Sequence, residues 1–359
     1  MTAVRRTEAA FGGFSSQGIG IGRLVRFAWF TANYQLAARR IKPLDRPAPL
    51  PAAMPDRATL IRALFGLLRE DRANVRAGLY PPPDDATPAP AQWLREARAF
   101  FADLPNVDAR RRQDTGNRDL RRAPPAEIGD LSGLPSYYTQ NFHFQTDGYL
   151  SARSAALYDY QIDVLFSGGA DAMRRLCLPP LVESLGRRGD RAPWVLDLAC
   201  GTGRTGRSIK QRWPAAHLVP VDLSLPYLAA AQANLAGMRR VHPICANGER
   251  LPFADDSFDA VTCVFTFHEL PPKIRRTVAG EIRRILRPGG RFVLVDSLQA
   301  GDDPALDPLL EFFPRFYHEP YFKSYMSADL SGLFARAGLA PVETHSGFLA
   351  KRVVCDKPA

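Results

Sequence analysis

Short apolar runs and helix-spaced apolar positions alternate along the C-terminal half of this 359-residue chain. Residues 194–198 form an apolar run of strand length. Gly201 and Gly203 follow in a segment with almost no side-chain bulk, and residues 204–213 have a helical composition that Pro214 ends. The alternation then repeats. Strands are predicted at 217–221 (ending at Asp222), 241–246, 259–265 and 291–296, with a helix over 271–286, a helix over 328–337 and closing strands near 340–344 and 351–355. Strands that alternate with helices predict an α/β fold with a mostly parallel sheet, which places ligands at the carboxyl ends of its strands.

The N-terminal half reads differently. A helix is predicted over 24–40, with Leu24, Phe27, Trp29, Phe30, Tyr34 and Leu36 apolar and Arg23, Arg26, Arg39 and Arg40 flanking them. Proline-rich linkers at 43–55 and 81–90 bracket a second helix over 57–77, and a third is expected over 91–103. Residues 109–122 are strongly basic with little to bury and read as an exposed linker, and 11–22 is glycine- and serine-rich and expected to be flexible. Residues 136–149 are dense in aromatics and amides, the composition of a pocket wall. Helices are expected over 154–166 and 170–185, and no internal repeat is found. The predicted organisation is a helical, basic, proline-linked extension over 1–135, an aromatic cap with lead-in helices over 136–191, and an α/β core over 192–359.

Composition narrows the function classes. The apolar share of 46% is that of a folded globular protein. Cys177, Cys200, Cys245, Cys263 and Cys355 form no C-x-x-C pair, which argues against a disulfide framework and a zinc site; no metal is expected, and a reducing, cytoplasmic setting suits free thiols. Residues 1–48 carry eight Lys/Arg against Glu8 and Asp45, part of the net charge of +10. The 24–40 helix is therefore a candidate for peripheral membrane contact, with packing against the body of the protein as the competing expectation. An acid-poor, arginine-rich start also resembles an organellar transit peptide, while no signal peptide and no spanning run of about 18 apolar residues is read. Asp114 and Asp119 interrupt the basic 109–122 stretch and no nucleic-acid module is recognised, so nucleic-acid binding is not expected. Oligomeric state is not legible.

Gly201, Gly203 and Gly206 fit the G-x-G-x-x-G spacing of dinucleotide folds. Asp197, four residues before the first glycine, argues against that reading, because a carboxylate beside the loop repels a pyrophosphate and suits a ligand bearing an ammonium group. The segment from Val195 to Gly203, V-L-D-L-A-C-G-T-G, closely resembles the first motif of class I S-adenosylmethionine-dependent methyltransferases. Asn247 to Asp259 resembles that family's D-A-E-x-L-P-F-x-D-x-S-F-D segment, with Asn247 in place of the first acid and Gly248 in place of the small residue. Leu286 to Gly290 resembles its tight turn into the fifth strand. Within the family the chain is most similar to the branch of the ubiquinone and menaquinone C-methyltransferases, over roughly residues 192–356. The resemblance implies a Rossmann-like seven-stranded sheet finished by an antiparallel hairpin, with S-adenosylmethionine as cofactor. Asp197 would hold the methionine amino group, and Ala199, Gly201, Thr202 and Gly203 would present backbone to the cofactor. Asp222 and Leu223 would meet the ribose, Asn247 and Gly248 the adenine, and Phe265 the region of the methyl. The insertion at 301–326, rich in Phe and Tyr, would form a cap over the acceptor.

A small-molecule acceptor follows from the aromatic segments, plausibly aromatic, quinone-like or lipid-like, with O-, N- and C-methylation all open. Tyr138, Phe142, His143, Tyr149, Phe316, His318 and Tyr321 are the expected pocket residues. In-line displacement from a sulfonium asks chiefly for alignment, and a base only where the acceptor loses a proton. His268 and Glu269, just past the fourth strand, are the candidates for that base, with His268 as a merely packed loop residue the alternative. The competing reading of the whole chain is a non-catalytic, methyltransferase-like binding or assembly protein, favoured by Asn247 and the long basic extension.

Overall fold

A computed structural model describes residues 20–44, 54–116, 118–121, 128–186 and 191–359. The expectations for 11–19, most of the first proline-rich linker and the end of the basic stretch lie outside the described residues. The N-terminal part contributes α1 (Ile21–Arg40), α2 (Arg57–Arg76) and α3 (Pro90–Gln113), followed by α4 (Ala152–Leu165), α5 (Ala170–Arg174) and α6 (Leu178–Gly186). The core then runs β1 (Trp194–Leu198), α7 (Arg204–Arg212), β2 (His217–Asp222), α8 (Leu225–Asn234), β3 (Ile244–Cys245), β4 (Phe258–Val264), α9 (Pro272–Ile285) and β5 (Leu286–Ser297). The cap insertion holds α10 (Asp307–Phe316) and α11 (Phe322–Met326), and the chain closes with α12 (Leu330–Arg336), β6 (Ala340–Gly347) and β7 (Ala350–Asp356).

The seven strands form one sheet in the order β3-β2-β1-β4-β5-β7-β6. Neighbours from β3 to β5 are parallel, and β7 runs antiparallel to both β5 and β6, which is the Rossmann-like sheet with its closing hairpin. Side chains alternate faces along each strand. Val195, Leu218, Val293 and Val295 therefore enter one apolar layer, while Leu196, Val219, Phe292 and Leu294 enter the other. The first layer also contains Phe27 of α1 and Leu64 and Leu67 of α2, so the N-terminal helices share a core with the sheet.

Five sequence expectations change. The 91–103 helix continues to Gln113, through Pro105. Its basic end is not an exposed linker: Arg110 donates to Phe144 O (2.8 Å) and Thr146 Oγ1 (2.6 Å), and Arg111 pairs with Asp108 at 2.8 Å. The third strand shrinks to Ile244–Cys245, with Val241 making an isolated bridge to Leu218. The 170–185 helix is two helices joined by a 3-10 turn at Arg175–Cys177, before Pro179 and Pro180 begin the second. The turn at 286–290 is absorbed into β5 as an irregularity, where Phe258 faces Leu286 but Ala260 faces Arg291, and Gly289 takes φ 69°. Of the cysteines, Cys245 is exposed and the other four are buried.

Two of the four arginines of α1, Arg23 and Arg26, also face inward. Arg23 pairs with Asp71, and Arg26 with Asp163, all buried. Asp71 is shared with Arg175 at 2.8 Å, which in turn reaches Asp85 at 2.7 Å. These two charges fix the extension to the core, while Arg39 and Arg40 at the end of α1 are exposed. Among the described residues no helix is long and apolar enough to cross a membrane.

Candidate active site

The glycine turn after β1 is backbone with little side chain around it. Ala199, Gly201 and Gly203 all have positive φ (53°, 54° and 81°). A Cβ added at Gly201 would meet no atom within 4 Å, so this backbone borders open space, whereas one at Gly203 would press on Ala231 at 3.0 Å. The Asp222 carboxylate, at the end of β2, accepts from the backbone N–H of Gly201 and of Ser224, each at 2.8 Å, and burial raises its pKa. Its remaining lone pairs are free for a diol.

A cavity lies over the carboxyl ends of β1, β2 and β4. It is bordered by Ala199, Gly201, Asp222, Leu223, Asn247, Gly248 and Phe265. Tyr138, Phe142 and Tyr149, expected at the acceptor, close this cavity instead, together with Tyr158 and Tyr227. Asp197, Thr202 and Gly203 do not line it. Asp197 lies beneath the loop, 1% exposed, with Oδ1 held by Thr262 Oγ1 at 2.8 Å and Oδ2 without a hydrogen-bond partner. Burial pushes its pKa up to about 7. The Thr202 hydroxyl donates to Asp159 at 2.8 Å. Asn247 is occupied within its own turn, its Oδ1 accepting from Glu249 N (3.0 Å) and its Nδ2 donating to Glu249 Oε1 (3.1 Å). Tyr137 donates to the same Glu249 carboxylate at 2.7 Å.

Past β4 the chain makes a 3-10 turn at Phe267–Glu269, entered through Phe265 in the left-handed region at φ 53°. Asp296, from β5, organises this turn. Its Oδ2 accepts from Phe267 N at 2.7 Å and its Oδ1 holds His268 Nδ1 at 2.5 Å. The Nε2 of His268 therefore points toward Glu269 and Glu319, 3.9 and 4.0 Å away. His143, itself left-handed at φ 55°, brings its Nε2 onto Glu319 and to 3.7 Å from Glu269, and its backbone N–H donates to His318 O at 3.2 Å. The Tyr149 hydroxyl donates to Glu269. Burial alone would lower the His268 pKa, but the Asp296 charge and hydrogen bond outweigh it and raise it to about 10. Burial, helped by Glu319, lifts Glu269 to about 7 against the pull of His268 and His143.

A second cavity, of about 620 Å³, adjoins this cluster. Phe27 and Tyr34 of α1, Leu60 and Leu64 of α2, and Phe312, Phe313 and Phe316 of α10 line it, with His143, His268 and Glu269 at its polar end. Phe265, Glu269 and Tyr158 border both cavities. His318 and Tyr321, expected in the pocket, lie in neither. Both engage Gln140: His318 Nε2 meets its Oε1 at 2.7 Å, and its Nε2 donates to the Tyr321 hydroxyl at 3.4 Å.

A family model described as a methyltransferase domain matches residues 195–290, the stretch that builds the first cavity and the His268–Glu269 turn. An uncharacterised methyltransferase of Synechocystis sp. is 30% identical over 178 residues, covering 50% of this chain and 78% of the relative. A ubiquinone/menaquinone biosynthesis C-methyltransferase of Desulfotalea psychrophila is 30% identical over 192 residues, covering 54% and 73%. The chain belongs to the class I S-adenosylmethionine-dependent methyltransferases. Its similarity is to their ubiquinone/menaquinone C-methyltransferase-like branch. A malonyl-[acyl-carrier protein] O-methyltransferase of Xylella fastidiosa is also similar, at 37% identity over 156 residues, 42% of this chain and half (50%) of the relative.

The methyltransferase's first cavity suits its cofactor. Open backbone at Gly201 admits close approach, Asp222 retains acceptor capacity, and the Asp197 carboxyl lies under the loop with Oδ2 available as an acceptor. Sequence reasoning missed Asp296, which orients His268 from β5, and the α1 and α2 side chains in the second cavity. Asp296 follows an apolar strand and bears no local mark of its role. The α1 and α2 residues read simply as helix core.

Proposed function

We propose that this methyltransferase moves the methyl group of S-adenosylmethionine to an apolar organic acceptor, quinol-like or otherwise hydroxyl-bearing, held in the 620 Å³ cavity. The observation that carries this reading is the shared wall, since Phe265 and Glu269 border the cofactor-side cavity and the apolar cavity alike. A methyl donor on one side and an acceptor on the other would meet at these two residues. Bound cofactor supplies an electrophilic methyl on a sulfonium. The contribution of this chain is alignment, exclusion of water by Phe312, Phe313 and Phe316, and uptake of a proton. As the new O–CH3 or C–CH3 bond forms and the S–CH3 bond breaks, the acceptor proton would pass to the Glu269 carboxylate, which Tyr149 orients. His268, tied to Asp296, serves as a positioning residue for Glu269.

The names of the relatives support a quinone-like acceptor, and the acyl-carrier-protein O-methyltransferase among them keeps oxygen methylation within reach. The test is an S-adenosylhomocysteine-release assay on full-length protein, with naphthoquinols and phenols carrying apolar tails of increasing length. Turnover that improves with the tail is expected, and Glu269→Gln should lower kcat by about 10²-fold or more. Saturable S-adenosylhomocysteine binding without turnover on any member of the panel would instead support a binding or assembly role.

A further inference from the structure

The polar end of the acceptor cavity has the make-up of a metal site. Nε2 of His143, Nε2 of His268 and the carboxylates of Glu269 and Glu319 lie within 4.8 Å of one another. They come from three segments far apart in the chain: the aromatic loop before α4, the turn after β4, and the cap between α10 and α11. The side chains are 16%, 8%, 13% and 0% exposed. One Glu319 oxygen meets His143, and the other, Oε2, is buried with no hydrogen-bond partner. Among the described residues, Glu269, Glu319 and Asp296 form ion pairs with the two histidines and with no lysine or arginine. In this water-poor corner the carboxylates have only the two histidines as close cationic partners among the described residues.

We propose that His143, His268 and Glu319 bind one divalent transition-metal ion of the zinc class, with Glu269 flanking its open side. Two imidazoles and one carboxylate, with a position left over, make up the ligand set of catalytic zinc sites. The Asp296–His268 hydrogen bond at 2.5 Å fixes the imidazole with Nε2 outward, the outer-shell arrangement that metal-bound histidines require. Ligands about 2.0–2.2 Å from a tetrahedral ion stand about 3.3–3.5 Å apart, so the 4.0 Å gap between His268 and Glu319 closes with a small inward movement. The ion replaces the direct contact between His143 and Glu319 and gives the unpartnered Glu319 oxygen a role. Its open position would face the apolar cavity and take an anionic oxygen of the acceptor, a phenolate or enolate. This last step rests on the methyl-transfer reading, whereas metal binding itself does not.

The experiment is a Co2+ titration of chelator-treated, full-length protein, followed by visible absorption and elemental analysis, with S-adenosylhomocysteine calorimetry on the same samples. The proposal expects one equivalent of Co2+ with a d–d spectrum, displaced by Zn2+. Glu319→Gln and His143→Gln should weaken uptake at least tenfold, and Asp296→Asn by about 10–100-fold, with S-adenosylhomocysteine binding retained. Wild-type protein that binds S-adenosylhomocysteine yet takes up neither ion overturns the proposal, as does uptake that both ligand variants leave unchanged. Uptake of Co2+ without S-adenosylhomocysteine binding would leave the metal site standing and count against the cofactor cavity instead.

Discussion

Asp197 is a carboxyl buried under the loop after β1, its Oδ1 held by Thr262. Its pKa is raised by burial from 3.8 to about 7, so the ionised form is disfavoured in the folded protein without ligand. A raised carboxyl leaves stability intact below the unfolded value and removes it as pH rises through the folded one. Asp197→Asn should therefore stabilise the ligand-free protein at pH 8 by roughly 2–4 kcal/mol, with the gain vanishing near pH 4, as thermal denaturation across pH would read. If Asp197 holds the cofactor ammonium, as the motif implies, that ammonium would favour the ionised carboxylate. Cofactor affinity should accordingly fall about tenfold between pH 8 and pH 6 in the wild type and stay flat in Asp197→Asn. A pH-independent wild-type affinity would separate Asp197 from ammonium binding. The position of Asp197 at the end of β1 was legible in the motif, but its burial beneath the loop was not, because depth depends on Thr262 from the neighbouring strand.

At the scale of elements, the N-terminal helices are fastened to the core by buried ion pairs. Asp71 of α2 joins Arg23 of α1 to Arg175, and Tyr80 donates to it at 2.7 Å. Burial works against the Asp71 charge, but the two arginines win and hold its pKa below 3.8. Its stabilisation is thus present above about pH 4 and lost as pH falls further. Asp71→Ala leaves two buried guanidiniums short of a partner and should cost about 3–5 kcal/mol in urea unfolding at pH 7. The cap is fastened similarly. Arg275 of α9, 1% exposed, donates to Phe267 O (2.8 Å), Tyr321 O (2.9 Å) and Ser324 Oγ (3.1 Å), so the turn that carries His268 and the cap that carries Glu319 share one side chain. The apolar spacing of α1 and α2 announced the helices themselves. The acidic partners of Arg23 and Arg26 were not legible, since they lie 48 and 137 residues away. The continuation of α3 past Pro105 has the same cause, because the contacts of Arg110 reach across to Phe144 and Thr146.

Across the whole molecule, the acceptor cavity is built from both halves of the chain. The matched methyltransferase domain ends at residue 290, yet α1, α2 and α10 form much of the apolar wall. If the acceptor binds in this cavity, as proposed, the extension becomes a determinant of acceptor choice. Leu60→Trp, which pushes bulk into the cavity from α2, should raise the acceptor KM or shorten the longest tail accepted, while the Kd for S-adenosylhomocysteine stays unchanged. Equal kinetics across the tail series would place the acceptor elsewhere.

The sequence by itself determined the sheet and its ligand corner. Strand-length apolar runs, helical spacing and the glycine turn are local patterns, and local sterics suffice to turn them into β1, α7 and the bend between them. Asp222 at the end of β2 and the His268–Glu269 pair after β4 were readable for the same reason, as their positions follow from strand ends. What only the tertiary structure decided was which side chains meet. His143, His268, Glu269 and Glu319 converge because the cap and the aromatic loop fold over the sheet from opposite ends of the chain. Tyr138, Phe142 and Tyr149 fall on the cavity over β1, β2 and β4, and Arg23 and Arg26 of α1 turn inward, by the same long-range packing. Charges and rings find their partners through burial, and burial belongs to the assembled core rather than to any one segment.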